Sequence, residues 1–249
     1  MKSGAKTKAT LDRALSRMGF ASRTAACAGI LKGTVSVNGR VVKDPARWVN
    51  LQQDRIAVRK VPLKPAAHRY YVLNKPKGVV TTHRDKLSRK TVYDFLPAGC
   101  GHISAVGRLD KNTSGLLLLT NDNDFANYLT SPQSGIPKTY LVKARGKITE
   151  QSLQQLRMGI ELTDGPTLPA EAELTRVSDR NSWVQITLHE GRNRQVRRMF
   201  EAAGHVVLKL VRIRVGGLEL GDFKPGELRS LTGSDLRKYF RYPKGQKEG

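Results

Sequence analysis

Hydrophobic and polar positions follow a helical period at the start of this chain and a strand period soon after. Apolar residues recur at three- and four-residue steps over 11–18, which predicts a helix that ends at Gly19. Ser22 suits the N-cap of a second helix that runs to Leu31. Valines then alternate over 35–41 around an Asn-Gly pair, a combination that favours a β-hairpin.

Beyond residue 68 the pattern predicts a larger region of strands interspersed with helices. Residues 60–68 contain two prolines and little periodicity, so we interpret them as a linker. The predicted organisation is a basic tail (1–10), a small module (11–59), the linker (60–68) and a second domain (69–249). The main predicted strands are 70–74, 103–106, 116–120, 138–144, 169–177, 183–188 and 206–215, and the predicted helices are 122–129, 149–158, 194–203 and 234–239.

The charge of the chain indicates what kind of partner the protein binds. Its 249 residues contain 44 Lys or Arg and 21 Asp or Glu, a formal net charge of +23. Such an excess indicates a polyanionic partner, nucleic acid rather than an anionic membrane surface. Two cysteines and five histidines without ligand spacing exclude a disulfide framework and predict no metal site. Because neither a secretory segment nor a long apolar run is present, we expect a cytoplasmic protein that does not enter membranes.

The small module carries the first candidate binding surface. Its two predicted helices and hairpin bear a cluster of cations that suits RNA phosphates, although a solvated charged surface would look the same. The pieces GFASR at 19–23 and VSVNG at 35–39, after a leucine repeat, resemble the alpha-L RNA-binding domain of small-subunit ribosomal proteins. The resemblance implies binding of structured RNA. The candidate RNA-binding residues here are Arg13, Arg17, Arg23, Lys32 and Arg40.

The second candidate site is a turn in the middle of the chain. Asp110 lies between two apolar segments, where a carboxylate is exposed at one end and surrounded by apolar side chains at its base. Such an environment suits a nucleophile or a general base. Arg108 lies two residues earlier and offers a cation or a phosphate contact. On this local pattern alone, a turn-capping role for Asp110 is favoured over a catalytic one, because aspartate is common in turns.

Four motifs in order resemble the pseudouridine synthases, in the branch typified by RsuA and RluB. They are YVLNKPKG at 71–78, GRLDKNTSGLL at 107–117, KTY at 138–140 and EGRNRQVRRM at 190–199. The resemblance covers residues 11 to 240. It implies an α+β fold in which a small N-terminal alpha-L domain precedes a mixed, largely antiparallel sheet with flanking helices.

The resemblance also implies a reaction and roles for three residues. A pseudouridine synthase breaks the bond between the ribose anomeric carbon and the uracil nitrogen, rotates the base and joins the sugar to carbon 5, without a cofactor or a metal ion. Asp110 matches the catalytic carboxylate, which either attacks the anomeric carbon or removes a neighbouring ribose proton. Tyr140 matches the aromatic residue that stacks on the freed uracil. Arg192 matches the cation that pairs with the carboxylate.

A base inside an RNA helix cannot reach such a pocket, so the target nucleotide must flip out. Arg108 is the candidate that fills the vacated space or holds the backbone. The resemblance implies a substrate in ribosomal RNA or a ribosome assembly intermediate, with the large subunit weakly preferred, and we expect a monomer. The other candidate residues along the RNA path are Arg84, Lys86, Arg89, Arg194, Arg197 and Arg198.

Two other classes of function remain open at this stage. A non-catalytic RNA-binding or ribosome-assembly factor would keep the fold and the charge, but it would usually lose one of Asp110, Tyr140 and Arg192. A basic DNA-binding protein would also fit the charge, but no helix-turn-helix or zinc-finger pattern is present.

Overall fold

The computed structural model describes residues 8–64, 66–83 and 85–242. Contacts divide them into two compact units. The first unit comprises the described residues up to Arg69, together with Pro97–Ser104 and Asn121–Asn123, and the remaining residues form the second unit.

The first unit contains the predicted pair of helices and the predicted hairpin. Its elements are β1 (Lys8–Thr10), α1 (Leu11–Arg17), α2 (Arg23–Leu31), β2 (Val35–Val37), β3 (Arg40–Val41), β4 (Trp48–Asn50), β5 (Ile56–Val58) and β6 (Val61–Pro62). The Ser22 hydroxyl accepts a hydrogen bond from the Ala25 N–H (3.2 Å), as expected of an N-cap. Asn38 and Gly39 both have positive φ, the conformation that a two-residue hairpin turn of this type requires.

The ends of this unit differ from the sequence prediction. Residues 1–7 lie outside the described residues, and Lys8–Thr10, predicted as part of the tail, pairs with Trp48–Asn50 instead. Val61–Pro62, inside the predicted linker, pairs with Ile56–Val58. The first of these strands arises from pairing with distant residues, which local periodicity does not reveal. The second is a two-residue strand in a tight hairpin with Ala57 and Val58. The boundaries of the small domain and of its linker remain predictions.

The second unit is built on one mixed sheet. Its strands are β7 (Tyr70–Lys75), β8 (Ser104–Ala105), β9 (Thr113–Thr120), β10 (Lys138–Arg145), β11 (Glu161–Leu162), β12 (Gly165–Pro166), β13 (Glu171–Val177), β14 (Asn181–Leu188), β15 (Val207–Val215), β16 (Leu218–Glu219) and β17 (Leu228–Ser230). The main path runs β13-β14-β10-β15-β9-β7-β17, with β8 beside β9 and β16 beside β15, while β11 and β12 form a separate hairpin. Only the β15–β9 pair is parallel among the described strands. The predicted mixed, largely antiparallel sheet is therefore confirmed.

Helices pack against this sheet through two apolar clusters. The helices are α3 (Asn123–Thr130), α4 (Glu150–Met158), α5 (Gln195–Ala202) and α6 (Gly233–Phe240), with short 3-10 turns at Val92–Phe95 and Pro132–Ser134. Leu153 of α4 and Phe200 of α5 are buried in one cluster, and Phe125 of α3 and Phe240 of α6 in the other. The longest helices in the described part of the chain have nine residues, and none is long and apolar enough to cross a membrane.

Gly115 permits the parallel strand pair at the centre of the sheet. Its φ is +103°, and a Cβ at this position would lie 2.2 Å from the Arg212 carbonyl oxygen. Any other residue would therefore force β9 and β15 apart. Strand β9 begins at Thr113, three residues earlier than predicted, because pairing with β15 extends it beyond the run of leucines.

Candidate active site

Asp110 lies in the turn that connects β8 to β9. The Thr113 N–H donates to the Asp110 carbonyl oxygen (3.0 Å), which closes the turn. A second loop supports it, because the Thr81 hydroxyl donates to the Leu109 carbonyl oxygen (2.9 Å) and the Gly78 N–H to that of Lys111 (2.8 Å). The Asp110 side chain is 33% exposed, so it is held by a fixed backbone and remains accessible.

A cavity of about 70 Å³ opens beside Asp110, entirely within the second unit. Three parts of the chain form its wall: the turn 108–113, strands β10, β14 and β15, and the loop that leads into α5. It brings together the predicted catalytic residues Asp110, Tyr140 and Arg192. The lining residues are Arg108, Leu109, Asp110, Thr113, Tyr140, Leu188, Glu190, Gly191, Arg192, Arg194, Gln195, Val196 and Leu210.

Tyr140 supplies the aromatic part of this wall. It lies on β10 between Ile186 of β14 and Arg212 of β15. Its ring is partly buried against the apolar cluster beneath α4 and α5, yet lines the cavity. A flat side chain fixed in this way offers a stacking surface for a planar base.

The cation that contacts Asp110 is Arg194. Its Nη1 lies 3.5 Å from Asp110 Oδ2, and its side chain is 52% exposed. Arg194 precedes α5 with a φ of +49°, in the left-handed region. The sequence pattern does not indicate this backbone conformation. The sequence analysis had placed Arg194 only among the RNA-path residues.

Arg192 pairs with carboxylates other than that of Asp110, so the predicted ion pair between Arg192 and Asp110 is not found among the described residues. Its Nε donates to Glu190 Oε2 (3.0 Å), and its Nη1 lies 3.7 Å from Asp164 Oδ1. Its Nη atoms also donate to carbonyl oxygens of the β11–β12 hairpin, including that of Gly165 (2.9 Å). Arg192 thus attaches this hairpin to the loop before α5. Its predicted part in catalysis stays a prediction.

Further hydrogen bonds fix the same loop. Glu190 Oε1 accepts from the Gln195 side-chain amide (2.6 Å) and from the Leu168 N–H (2.9 Å). The Gln195 side-chain carbonyl accepts from the Arg192 N–H (3.0 Å). Arg198 binds Asp164 through both carboxylate oxygens (2.8 and 3.0 Å), which lowers the pKa of that carboxyl. Glu190, Gln195 and Asp164 therefore have partners within the protein, whereas Nε of Arg198 has none among the described residues.

Two further cations act electrostatically on Asp110. Burial lowers the pKa of Arg197, as does the neighbouring Arg194, while Asp110 opposes the shift. Arg197 also donates to the Asn112 carbonyl oxygen (3.0 Å), beside the turn. Lys75, fully buried at the end of β7, donates to the Val79 carbonyl oxygen (2.7 Å).

Lys75 lies in the motif at 71–78, but no role was predicted for it from the sequence. Burial lowers the pKa of Lys75 to about 8, with Asp110 opposing the shift. A lysine at the end of an otherwise apolar strand was the signal that could have indicated it, since lysine is rarely buried without a reason.

The remaining predicted RNA-binding residues differ in their surroundings. Arg108 is exposed at the cavity, and Lys86 is exposed in the loop before the first 3-10 turn. Arg89 pairs with Asp85 (2.6 Å), and Arg84 lies outside the described residues. In the first unit, Arg23 pairs with Asp12 (2.8 Å). Arg13, Lys32 and Arg40 are exposed there, and Arg17 is partly exposed.

A carboxylate pocket on a mixed sheet, in a strongly basic chain, favours an enzyme that acts on a nucleic acid. Sequence comparison specifies it further. Residues 69–202 match the profile described as RNA pseudouridylate synthase, and residues 10–56 match the S4 domain. The chain therefore belongs to the RNA pseudouridylate synthase family, and it is a pseudouridine synthase, an RNA isomerase. The family and the fold predicted from the four motifs are confirmed.

Individual relatives agree with this assignment. The ribosomal large subunit pseudouridine synthase B of Bacillus subtilis is 42% identical over 92% of this chain and 94% of its own. An uncharacterized RNA pseudouridine synthase of Aquifex aeolicus is 39% identical over 93% of both chains. A crystal structure of a pseudouridylate synthase superposes with a TM-score of 0.67 at 34% identity, over 92% of this chain and 99% of the other.

Proposed function

We propose that this enzyme converts a specific uridine of ribosomal RNA to pseudouridine and that Asp110 is its catalytic carboxylate. The observation that carries the proposal is the position of Asp110, accessible in a rigid turn, beside the cavity and next to Arg194. A carboxylate in such a place suits a nucleophile or a general base.

The reaction also requires that the pocket hold the uracil while it turns and hold the backbone of the flipped nucleotide. The C1′–N1 bond breaks, the uracil turns, and the C1′–C5 bond forms, while C5 loses a proton and N1 gains one. Asp110 acts at the ribose, either at C1′ or on the proton of the neighbouring carbon. Tyr140 supports the uracil by stacking while it turns, because its ring lines the same cavity. Arg108, exposed at the cavity, holds the backbone of the flipped nucleotide.

The substrate follows from the charge and from the relatives. The S4 region supplies a phosphate-binding surface through exposed cations such as Arg13, Lys32 and Arg40. The B. subtilis relative bears the name of a large-subunit enzyme, which supports the large-subunit RNA or an assembly intermediate as the substrate of this chain. The domain boundaries 11–59 and 69–249, joined by the linker 60–68, belong to the same proposal.

The test is to map pseudouridine in ribosomal RNA from cells with and without the gene. We expect one site, or a small group of sites, to lose pseudouridine without the gene and to regain it when the gene is restored. An unchanged map of both ribosomal RNAs, together with a changed map of another RNA, would replace the proposed substrate. A non-catalytic assembly factor would leave every map unchanged.

A further inference from the structure

Thr113 is a buried polar residue of the pocket with no role assigned so far. It is the first residue of β9, and only 2% of it is exposed. It pairs in parallel register with Leu210 of β15, and both side chains line the cavity beside Asp110. Its position is therefore fixed by the sheet, unlike that of a residue in a mobile loop.

The hydroxyl of Thr113 has no hydrogen-bond partner among the described residues. A buried hydroxyl without a partner is unfavourable, and most buried polar atoms in proteins are paired. Thr139, equally buried on β10, follows that rule, since its hydroxyl lies 2.9 Å from that of Thr187. Because Thr113 is also one of the residues that line the pocket, a bound substrate is the candidate partner for this hydroxyl.

The turn geometry indicates which part of a nucleotide this partner is. Because the Thr113 N–H donates to the Asp110 carbonyl oxygen (3.0 Å), the two side chains leave the same turn. Asp110 acts at the ribose, whereas Tyr140 offers its ring to the base from β10. The ribose carbon next to the anomeric carbon carries the 2′-hydroxyl. That group both donates and accepts hydrogen bonds, as a threonine hydroxyl does.

We propose that Thr113 hydrogen-bonds the 2′-hydroxyl of the uridine that enters the pocket, so that the site distinguishes a ribose from a deoxyribose. This inference rests on the proposed function, because it assumes that a nucleotide is bound with its sugar at Asp110. It adds a substrate-binding residue whose hydroxyl is satisfied only in the complex.

Binding of matched RNAs tests the inference directly. The ligands are two synthetic stem-loops of the mapped ribosomal RNA segment, with uridine or 2′-deoxyuridine at the target position. The proteins carry Asp110→Asn, so that no turnover disturbs the measurement of Kd. We expect the deoxy RNA to bind about 3- to 10-fold more weakly to Asp110→Asn, as one hydrogen bond predicts. In Asp110→Asn/Thr113→Val the two Kd values should be equal, and Thr113→Ser should restore the difference.

Thr139→Val is the matched control, because it removes an equally buried hydroxyl that is already paired. In the Asp110→Asn background it should lower Tm and leave the preference for the ribose RNA intact. Thr113→Val should not lower Tm, since no hydrogen bond within the protein is lost.

Two results would overturn the inference: a preference that survives Thr113→Val, or a Tm that falls as far as in Thr139→Val. Failure of the proposed function would be seen separately, as wild-type protein that forms no pseudouridine in the stem-loop. Failure of this inference alone would leave that activity in place.

Discussion

Two turns border the same pocket, and they use their polar groups in opposite ways. In the turn 108–113, the carboxylate of Asp110 has one ion pair among the described residues, with Arg194 at 3.5 Å, and the Thr113 hydroxyl has no partner there. In the loop 190–195, Arg192, Glu190 and Gln195 bind one another and the β11–β12 hairpin. The first turn keeps its groups available for a substrate, and the second loop uses its groups to fix the wall of the pocket.

This comparison teaches how to interpret a polar residue that lines a pocket. Lining the cavity does not by itself distinguish the proposed catalytic carboxylate from a supporting group, since both Asp110 and Arg192 line it. Their hydrogen bonds support the distinction, because a side chain whose partners lie inside the protein has little left to offer a ligand. Substitutions in one turn, or in neither, should therefore affect affinity, stability and turnover to different extents.

The largest effect on RNA affinity is expected from a change that touches neither turn. Replacing Arg13, Lys32 and Arg40 of the S4 region with Gln should weaken RNA binding by roughly 10- to 100-fold at 0.1 M salt, if each neutralises one phosphate. The slope of log affinity against log salt should become shallower by about 0.7 to 0.9 for each lost contact. Turnover at saturating RNA should not change.

The control for this triple variant removes the same charge from exposed positions of the second unit, at Lys147, Arg180 and Lys238. An equal loss of affinity in the control would mean that the overall charge, and not the S4 surface, governs binding.

The next largest effect is expected on stability, from Arg192→Met. The substitution leaves Glu190 and the hairpin carbonyls without their cation, so the free energy of unfolding should fall by about 1 to 3 kcal/mol. Turnover should fall as well, because the loop that holds Arg194 loses its support. Denaturant unfolding and single-turnover kinetics on one preparation measure both. Lower turnover at unchanged stability would make Arg192 a reacting group and erase the contrast between the turns.

Arg194→Met should lower turnover more clearly than it lowers stability, and its effect on stability should be smaller than that of Arg192→Met. An ion pair this exposed contributes up to about 1 kcal/mol, so turnover should fall by about two- to fivefold. The free energy of unfolding should change by less than about 0.5 kcal/mol, since this exposed guanidinium supports no other element. If turnover matched the wild type within error, Arg194 would not assist Asp110.

A pH-dependent effect on stability is expected from Lys75, the buried cation at the end of β7. The pKa of Lys75 is lowered from 10.5 to about 8 in the folded chain by burial. Between pH 8 and 10.5 the unfolded chain therefore binds the extra proton, and the contribution of Lys75 to the free energy of unfolding rises with pH. Wild type should gain about 1 to 3 kcal/mol relative to Lys75→Met across that window.

The control for the pH effect is Lys138→Met. Burial and the charge of Arg212 lower the pKa of Lys138 to about 8, but Asp110 is not among the causes. Wild type should likewise gain stability relative to Lys138→Met between pH 8 and 10.5, and in Lys138→Met the contribution of Lys75 should still be present. A flat difference between wild type and Lys75→Met from pH 8 to 10.5 would show that Lys75 has an ordinary pKa.

The features that sequence predicted are those fixed by nearby residues. The Ser22 cap and the Asn38–Gly39 turn depend on their neighbours, and the turn of Asp110 lies within one continuous motif. The contact of Arg194 with Asp110 was not predicted, and neither was the left-handed backbone of Arg194, since both depend on how the loop before α5 folds. Strands β1 and β17 were missed because each is short and forms only by pairing with residues far along the chain. Strand β6 was missed because it has only two residues, in a tight hairpin with β5. The unpaired hydroxyl of Thr113 depends on the packing of β9 against β15, which no local pattern encodes.

The most direct test of the central claim is the turnover of Asp110→Asn. The amide keeps the shape of the side chain but is a poor nucleophile and a poor base. Pseudouridine formation in the target RNA, measured in a single turnover, should fall by more than about 10²-fold, while the Kd for the same RNA stays within about twofold of wild type. Wild-type turnover by Asp110→Asn would contradict the assignment of Asp110. A parallel loss of RNA binding would mean that the turn 108–113 holds the substrate without acting on it.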